Sequence, residues 1–76
     1  MKDTLTEFKS AFGANLRRLR KEKEVSAGDL ANNSELSSET YILSIERGEK
    51  DIQLSTIFKL AKGLNINPKD LLDFKI

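Results

Sequence analysis

Apolar side chains along this chain recur at helical spacing. Leu5, Phe8, Phe12, Leu16 and Leu19 fall three or four residues apart, one stripe of an amphipathic helix. Thr4, with Glu7 three residues later, reads as its capping box, and the spacing predicts a helix over 5–22. Ser26 with Asp29 opens a second, short helix carrying Leu30 and Ala31, which the Asn32-Asn33-Ser34 cluster breaks. Ser37 or Ser38 caps a third helix bearing Ile42 and Ile45, and Gly48 supplies the left-handed residue that ends it. Ser55 caps a fourth, where Ile57, Leu60, Ala61 and Leu64 hold the i, i+3, i+4 and i+7 positions. Asn67-Pro68 starts a fifth: an N-cap, proline at the first helical position, and Asp70 in the first turn. Leu71 and Leu72 give that helix an apolar face, and Phe74 and Ile76 close the chain. Five short helices with tight connections and no strand-like alternation predict one all-α domain over 1–76.

Composition narrows the chemistry. Seventy-six residues suffice for one domain near the lower limit of what folds without staples. The chain has neither cysteine nor histidine, which removes disulfides, the usual zinc ligands and the commonest general base. No metal, no cofactor and no catalytic residue is therefore expected, and an enzyme is not. No apolar run approaches the ~18 residues of a membrane span, and the first ten residues are too charged for a signal peptide. A cytoplasmic protein without membrane attachment follows by default.

A net charge of +1 conceals an uneven distribution. Residues 1–25 hold seven basic against four acidic side chains, whereas residues from Ser26 onward hold six against eight. Between Glu24 and Arg47 there is no Lys or Arg at all. Any phosphate-binding surface must then be assembled from the first helix and from the region after Glu46. Helix N-termini at Ser26 and Ser55 add backbone N–H groups that can hold phosphate without a cationic side chain.

The third helix is the candidate reading element. At about 100° per residue, Ile42 and Ile45 define its inward face, and Thr40 and Arg47 lie almost opposite. Leu43 and Ser44 fall about 130° from the centre of that face, and Glu39 about 90° away on a flank. A helix fits the DNA major groove, where hydroxyls hydrogen-bond base edges, a carboxylate accepts from cytosine N4 and an apolar side chain touches the thymine methyl. Glu39, Thr40, Leu43 and Ser44 are thus the candidate base-contacting residues. Glu46 and Arg20 occupy flank positions on their helices, from which each can reach across a helix junction.

Leu30-Ala31, then Tyr41-Ile42-x-x-Ile45-Glu46-Arg47-Gly48, then Leu60-Ala61-Lys62-Gly63-Leu64-Asn65 and Pro68, with Leu16-Arg17-Arg18-Leu19-Arg20 upstream, resemble the Cro and phage-repressor type of helix-turn-helix regulators. The resemblance covers about residues 12–72. It implies a five-helix, lambda-repressor-like domain whose helix-turn-helix is formed by helices 2 and 3, binding double-stranded DNA as a transcription regulator. It also implies an interior ion pair between Arg20 and Glu46. Arg17, Ser26, Ala27, Tyr41, Arg47, Lys50 and Ser55 are the candidate phosphate-contacting residues. Leu72, Phe74 and Ile76 form either a homodimer patch, as family members often pair through their last helices, or part of the monomer's own core.

Three positions depart from the family pattern. Ala27 stands where Gln usually helps hold a phosphate. The stretch from Ala31 to Glu46 is one residue longer than common, enlarging the turn between helices 2 and 3. The reading helix lacks the Arg, Lys, Gln or Asn side chains that make the best bidentate base contacts. These features predict a weak or dimer-dependent DNA binder. They also leave open a protein-binding module, such as an antitoxin-like partner, that kept the fold with little or no DNA binding.

Overall fold

The expected helical order holds in the computed structural model, which describes residues 4–36 and 38–75. Helix α1 spans Leu5–Glu22, α2 Ala27–Asn33, α3 Glu39–Glu46, α4 Leu54–Leu64 and α5 Pro68–Leu71. The described residues contain no strand, and none of their helices is long and apolar enough to cross a membrane.

Three of the five helices start on a side-chain cap read from the sequence. Ser26 Oγ accepts from the Asp29 N–H at 3.0 Å, Ser38 Oγ from Tyr41 N–H at 3.2 Å, and Asn67 Oδ1 from Lys69 N–H at 3.1 Å. The alternative cap of α3, Ser37, lies outside the described residues. Two expected caps are corrected. Thr4 precedes α1 but makes no side-chain cap bond, because its backbone (φ 144°, ψ −125°) is not the extended conformation from which a hydroxyl reaches the first turn. Ser55 is not the cap of α4. The Gln53 carbonyl accepts from both Thr56 and Ile57, so the helix begins two residues earlier, and Ser55 sits inside its first turn.

The first four helices end alike. A left-handed residue follows the last turn: Glu24, Glu35 and Asn65, each at φ 59°, and Gly48 at φ 78°. The next N–H then reaches the carbonyl five residues back, Val25 to Arg20, Leu36 to Ala31, Glu49 to Ser44 and Ile66 to Ala61, at 2.9–3.2 Å. This is the Schellman closure, and its usual hydrophobic anchor is present in Val25, Leu36 and Ile66, which pack on the core.

Leu16, Leu30, Ile42, Ile45, Leu60 and Leu71 form the fully buried centre, one or two from each helix. The α1 stripe enters it only from Phe12 onward. Leu5 and Phe8 stand 58% and 41% exposed, because α1 is about 27 Å long against about 12 Å for α3 and outreaches its neighbours. The Phe8 ring rests against Phe74, centroids 5.5 Å apart. Two turns further along the same face of α1, buried Asn15 donates from Nδ2 to the carbonyls of Asp70 and Leu71 at 2.9 and 3.1 Å. Those bonds satisfy the end of α5, a single turn that cannot stand alone.

Candidate nucleic-acid interface

The seat of α3 decides what it can display. Ile42 and Ile45 are buried, and α3 packs against both α1 and α2. Its C-terminal end is fixed by Glu46, whose two carboxylate oxygens accept from Arg20 Nε at 2.6 Å and Nη2 at 3.0 Å. The third nitrogen, Nη1, donates to the Val25 carbonyl at 3.0 Å, so the guanidinium ties α1, its closing turn and α3 together. Both residues are 8% exposed. The hydrogen bond to Glu46 and that carboxylate's charge raise the Arg20 pKa above its ordinary value, outweighing the opposing effect of burial. The sequence therefore places these two residues correctly, and their geometry is the bidentate fork suited to a structural pair.

Sequence reasoning passed over Gly13. It is buried in mid-α1, and a methyl group there would overlap the carbonyl oxygens of Ile45 and Glu46. Only a residue without a Cβ lets α1 lie against the α3 backbone. The available signal was a lone glycine inside an otherwise uninterrupted helical stripe.

Glu39 and Thr40 are exposed at the start of α3, Leu43 is half-buried, and Arg47 is exposed at the helix end. Ser44 is corrected: it is 5% exposed, and its hydroxyl donates to the Tyr41 carbonyl at 2.6 Å. A wheel centred on Ile42 and Ile45 presumes one covered face, whereas α3 is wedged between two helices and its covered arc extends to Ser44. Ser44 presents nothing to a groove.

The remaining positions divide by exposure. Arg17, Lys50 and Ser26 are exposed, with the Ser26 hydroxyl already engaged as the α2 cap. Ala27 is buried and offers no side-chain contact; Tyr41 is half-buried against the core. Ser55 is exposed, with its hydroxyl 3.4 Å from Gln53 Oε1. Leu72 is 45% exposed, Phe74 is partly buried on Phe8 and the core, and Ile76 lies outside the described residues. Two exposed apolar residues were not anticipated: Leu54 and Phe58, one turn apart on α4, at 81% and 56%.

Arg47 is not a free cation. Its Nε and Nη2 donate to the two carboxylate oxygens of Glu49 at 2.8 and 3.2 Å. This pairing raises the Arg47 pKa and lowers that of Glu49, the hydrogen bond being the larger cause in both.

A short capped helix, a five-residue turn and a second helix locked onto α1 define a helix-turn-helix domain. The HTH_3 helix-turn-helix family matches residues 16–71, and the chain belongs to it, a family of DNA-binding regulators and not of enzymes. Among its relatives, Control protein C.BamHI of Bacillus amyloliquefaciens is 44% identical over 64 residues, covering 83% of this chain and 78% of that protein. Control protein C.MunI of a Mycoplasma species is 35% identical over 68 residues, covering 88% and 90%. The crystal structure of the restriction-modification controller protein C.AhdI from Aeromonas hydrophila superposes with a TM-score of 0.76 at 39% identity, covering 88% of this chain and 94% of that one.

Proposed function

We propose that this chain is a sequence-specific transcription regulator that inserts α3 into the major groove of a palindromic operator, acts as a homodimer in the cytoplasm, and controls restriction-modification genes. The observation that carries the reading is the posture of α3: its inner face and C-terminal end are held by Ile42, Ile45 and the Arg20–Glu46 pair, while Glu39 and Thr40 are exposed at its start and Leu43 is half-buried at the edge of the core. The N-terminal residues of such a helix are those that meet base edges. Thr40 offers a hydroxyl, Leu43 an apolar contact for a thymine methyl, and Glu39 an acceptor for cytosine N4. Arg17, Arg47 and Lys50, the Tyr41 side chain and the backbone N–H groups near Ser26, Ala27 and Ser55 contact phosphate. Similarity to control proteins of restriction-modification systems supports the regulatory assignment.

One reading helix of eight residues with one arginine at its end makes few contacts, and two-fold pairing doubles them. Exposed Leu72, with Phe74 and Ile76 beside it in sequence, supplies an apolar patch for the second copy, and Leu54 and Phe58 supply another. The test is selection of bound sequences from random duplex DNA, with sedimentation of the free protein alongside. Enrichment of a palindrome with half-sites about 34 Å apart is expected. A folded dimer that enriches nothing overturns the operator reading in favour of a protein-binding module.

A further inference from the structure

The turn that ends α3 builds an acidic group against the only cation the reading helix carries. Gly48 takes the left-handed conformation at φ 78°, with its N–H on the Ile45 carbonyl at 2.9 Å and the Glu49 N–H on the Ser44 carbonyl at 3.0 Å. A Cβ at residue 48 would lie 2.9 Å from the Ser10 Cα on α1, so this turn is packed as well as hydrogen-bonded. The chain thus doubles back, and the Glu49 carboxylate meets the side of the Arg47 guanidinium through both oxygens. A planar carboxylate in that fork has the geometry in which arginine takes a phosphate.

We infer that Glu49 is a built-in competitor for DNA: its carboxylate occupies the Arg47 fork in the free protein and must give way, or cancel the charge, when α3 approaches the phosphate backbone. This rests on the DNA-binding reading above. The consequence is large for this chain because no other Lys or Arg lies between Glu24 and Lys50, so the pair leaves the reading helix without net positive charge at its end. Glu39 at the opposite end of α3 adds a negative one. Both partners are about half exposed, so the pair is screened and weak enough for the dense charge of a duplex to open it. Acid does not release it near neutrality, since the pairing holds the Glu49 carboxyl below the ordinary carboxylate range. Salt and DNA are the agents that do. Glu49 therefore limits affinity without touching a base.

The test measures anisotropy of a labelled mixed-sequence duplex of about 30 bp across a salt series, since phosphate contacts dominate such binding. Wild type is compared with Glu49→Gln, Arg47→Gln, the double variant, and Asp51→Asn as an equal charge change two residues away. Glu49→Gln is expected to tighten binding about two- to fivefold at low salt, the range of an exposed ion pair. It should exceed the gain from Asp51→Asn, and the excess should vanish when Arg47 is already Gln. The log–log salt slope should steepen by about one contact. Equal gains from Glu49→Gln and Asp51→Asn, or an excess that survives without Arg47, overturn the competitor role while leaving DNA binding intact. If no variant binds duplex, the DNA-binding reading itself fails. The Arg47 Nε–H resonance in the free protein reports the pair independently. Its chemical shift should move in Glu49→Gln and not in Asp51→Asn, and an equal shift in the two variants overturns the pairing.

Discussion

Arg20 and Glu46, twenty-six residues apart in sequence, are joined by two hydrogen bonds of 2.6 and 3.0 Å inside the α1–α3 junction. The arginine's remaining nitrogen donates to the Val25 carbonyl, so all three guanidinium nitrogens are bonded within the protein. Neither charge retains appreciable solvent. Removing one partner leaves the other buried and uncompensated.

Glu46→Ala is accordingly expected to destabilise the domain by about 3–5 kcal/mol. For a domain of this size that is a fall in Tm of roughly 12–40 °C. The Arg20 pKa is raised on folding. Its contribution to stability is therefore fully present below the unfolded value and is lost only as pH rises through the still higher folded one, far above neutrality. Thermal melts of wild type and Glu46→Ala between pH 6 and 9 should then differ by a constant amount. A small or strongly pH-dependent difference contradicts the pairing.

Ser34 ends α2 with a buried hydroxyl that has no hydrogen-bond partner among the described residues, closed in against Gly63 of α4. An unsatisfied buried hydroxyl costs about 1–3 kcal/mol, and Ala keeps most of the volume. Ser34→Ala is expected to raise stability by about 1 kcal/mol, read as a higher urea midpoint at unchanged slope. A lower midpoint would mean that the hydroxyl has a partner in solution.

The helices themselves were legible because several local signals agreed. The stripe of α1, the caps at Ser26, Ser38 and Asn67, and Gly48 each point to the observed element. Legibility failed where the third dimension entered. Ser44 is covered because α3 touches two helices, which a single-helix wheel does not contain. Arg47 meets Glu49 only because the chain reverses at Gly48, so the charge count along the sequence overstated what α3 can offer a phosphate. Leu54 and Phe58 went unread because the α4 pattern was satisfied by its inward residues.

Acidification provides a direct reading of the exposed Arg47–Glu49 pair. Pairing lowers the Glu49 pKa in the folded state. Any contribution it makes is therefore present above the unfolded value near 4.5 and is lost as pH falls through the lower, folded value. A carboxyl-carbon NMR titration is expected to give Glu49 a midpoint below the ordinary glutamate value of 4.5. Arg47→Gln should return it toward 4.5. An unchanged midpoint in the variant would assign the depression to Lys50 or to the backbone.

The turn between α2 and α3 is closed by a residue poorly suited to it. Glu35 holds φ 59°, with its own N–H on the Asn32 carbonyl at 3.3 Å and the following Leu36 N–H on Ala31 at 2.9 Å. A left-handed backbone places the Cβ of an L-residue against the neighbouring carbonyl, costing roughly 1–2 kcal/mol, which glycine avoids. Glycine is also freer in the unfolded chain, which offsets part of that gain. Glu35 is exposed, so its side chain can be removed without opening the core. Glu35→Gly is expected to stabilise the domain by about 0.5–1 kcal/mol. The same change at Ser38, an extended N-cap with φ −169° whose hydroxyl holds the Tyr41 N–H, should instead destabilise by a few tenths of a kcal/mol. Chemical denaturation of the two variants side by side checks both signs. A destabilised Glu35→Gly would show that this turn is not held in the left-handed conformation, and with it the five-residue connection that sets α3 on α2 would have to be redrawn.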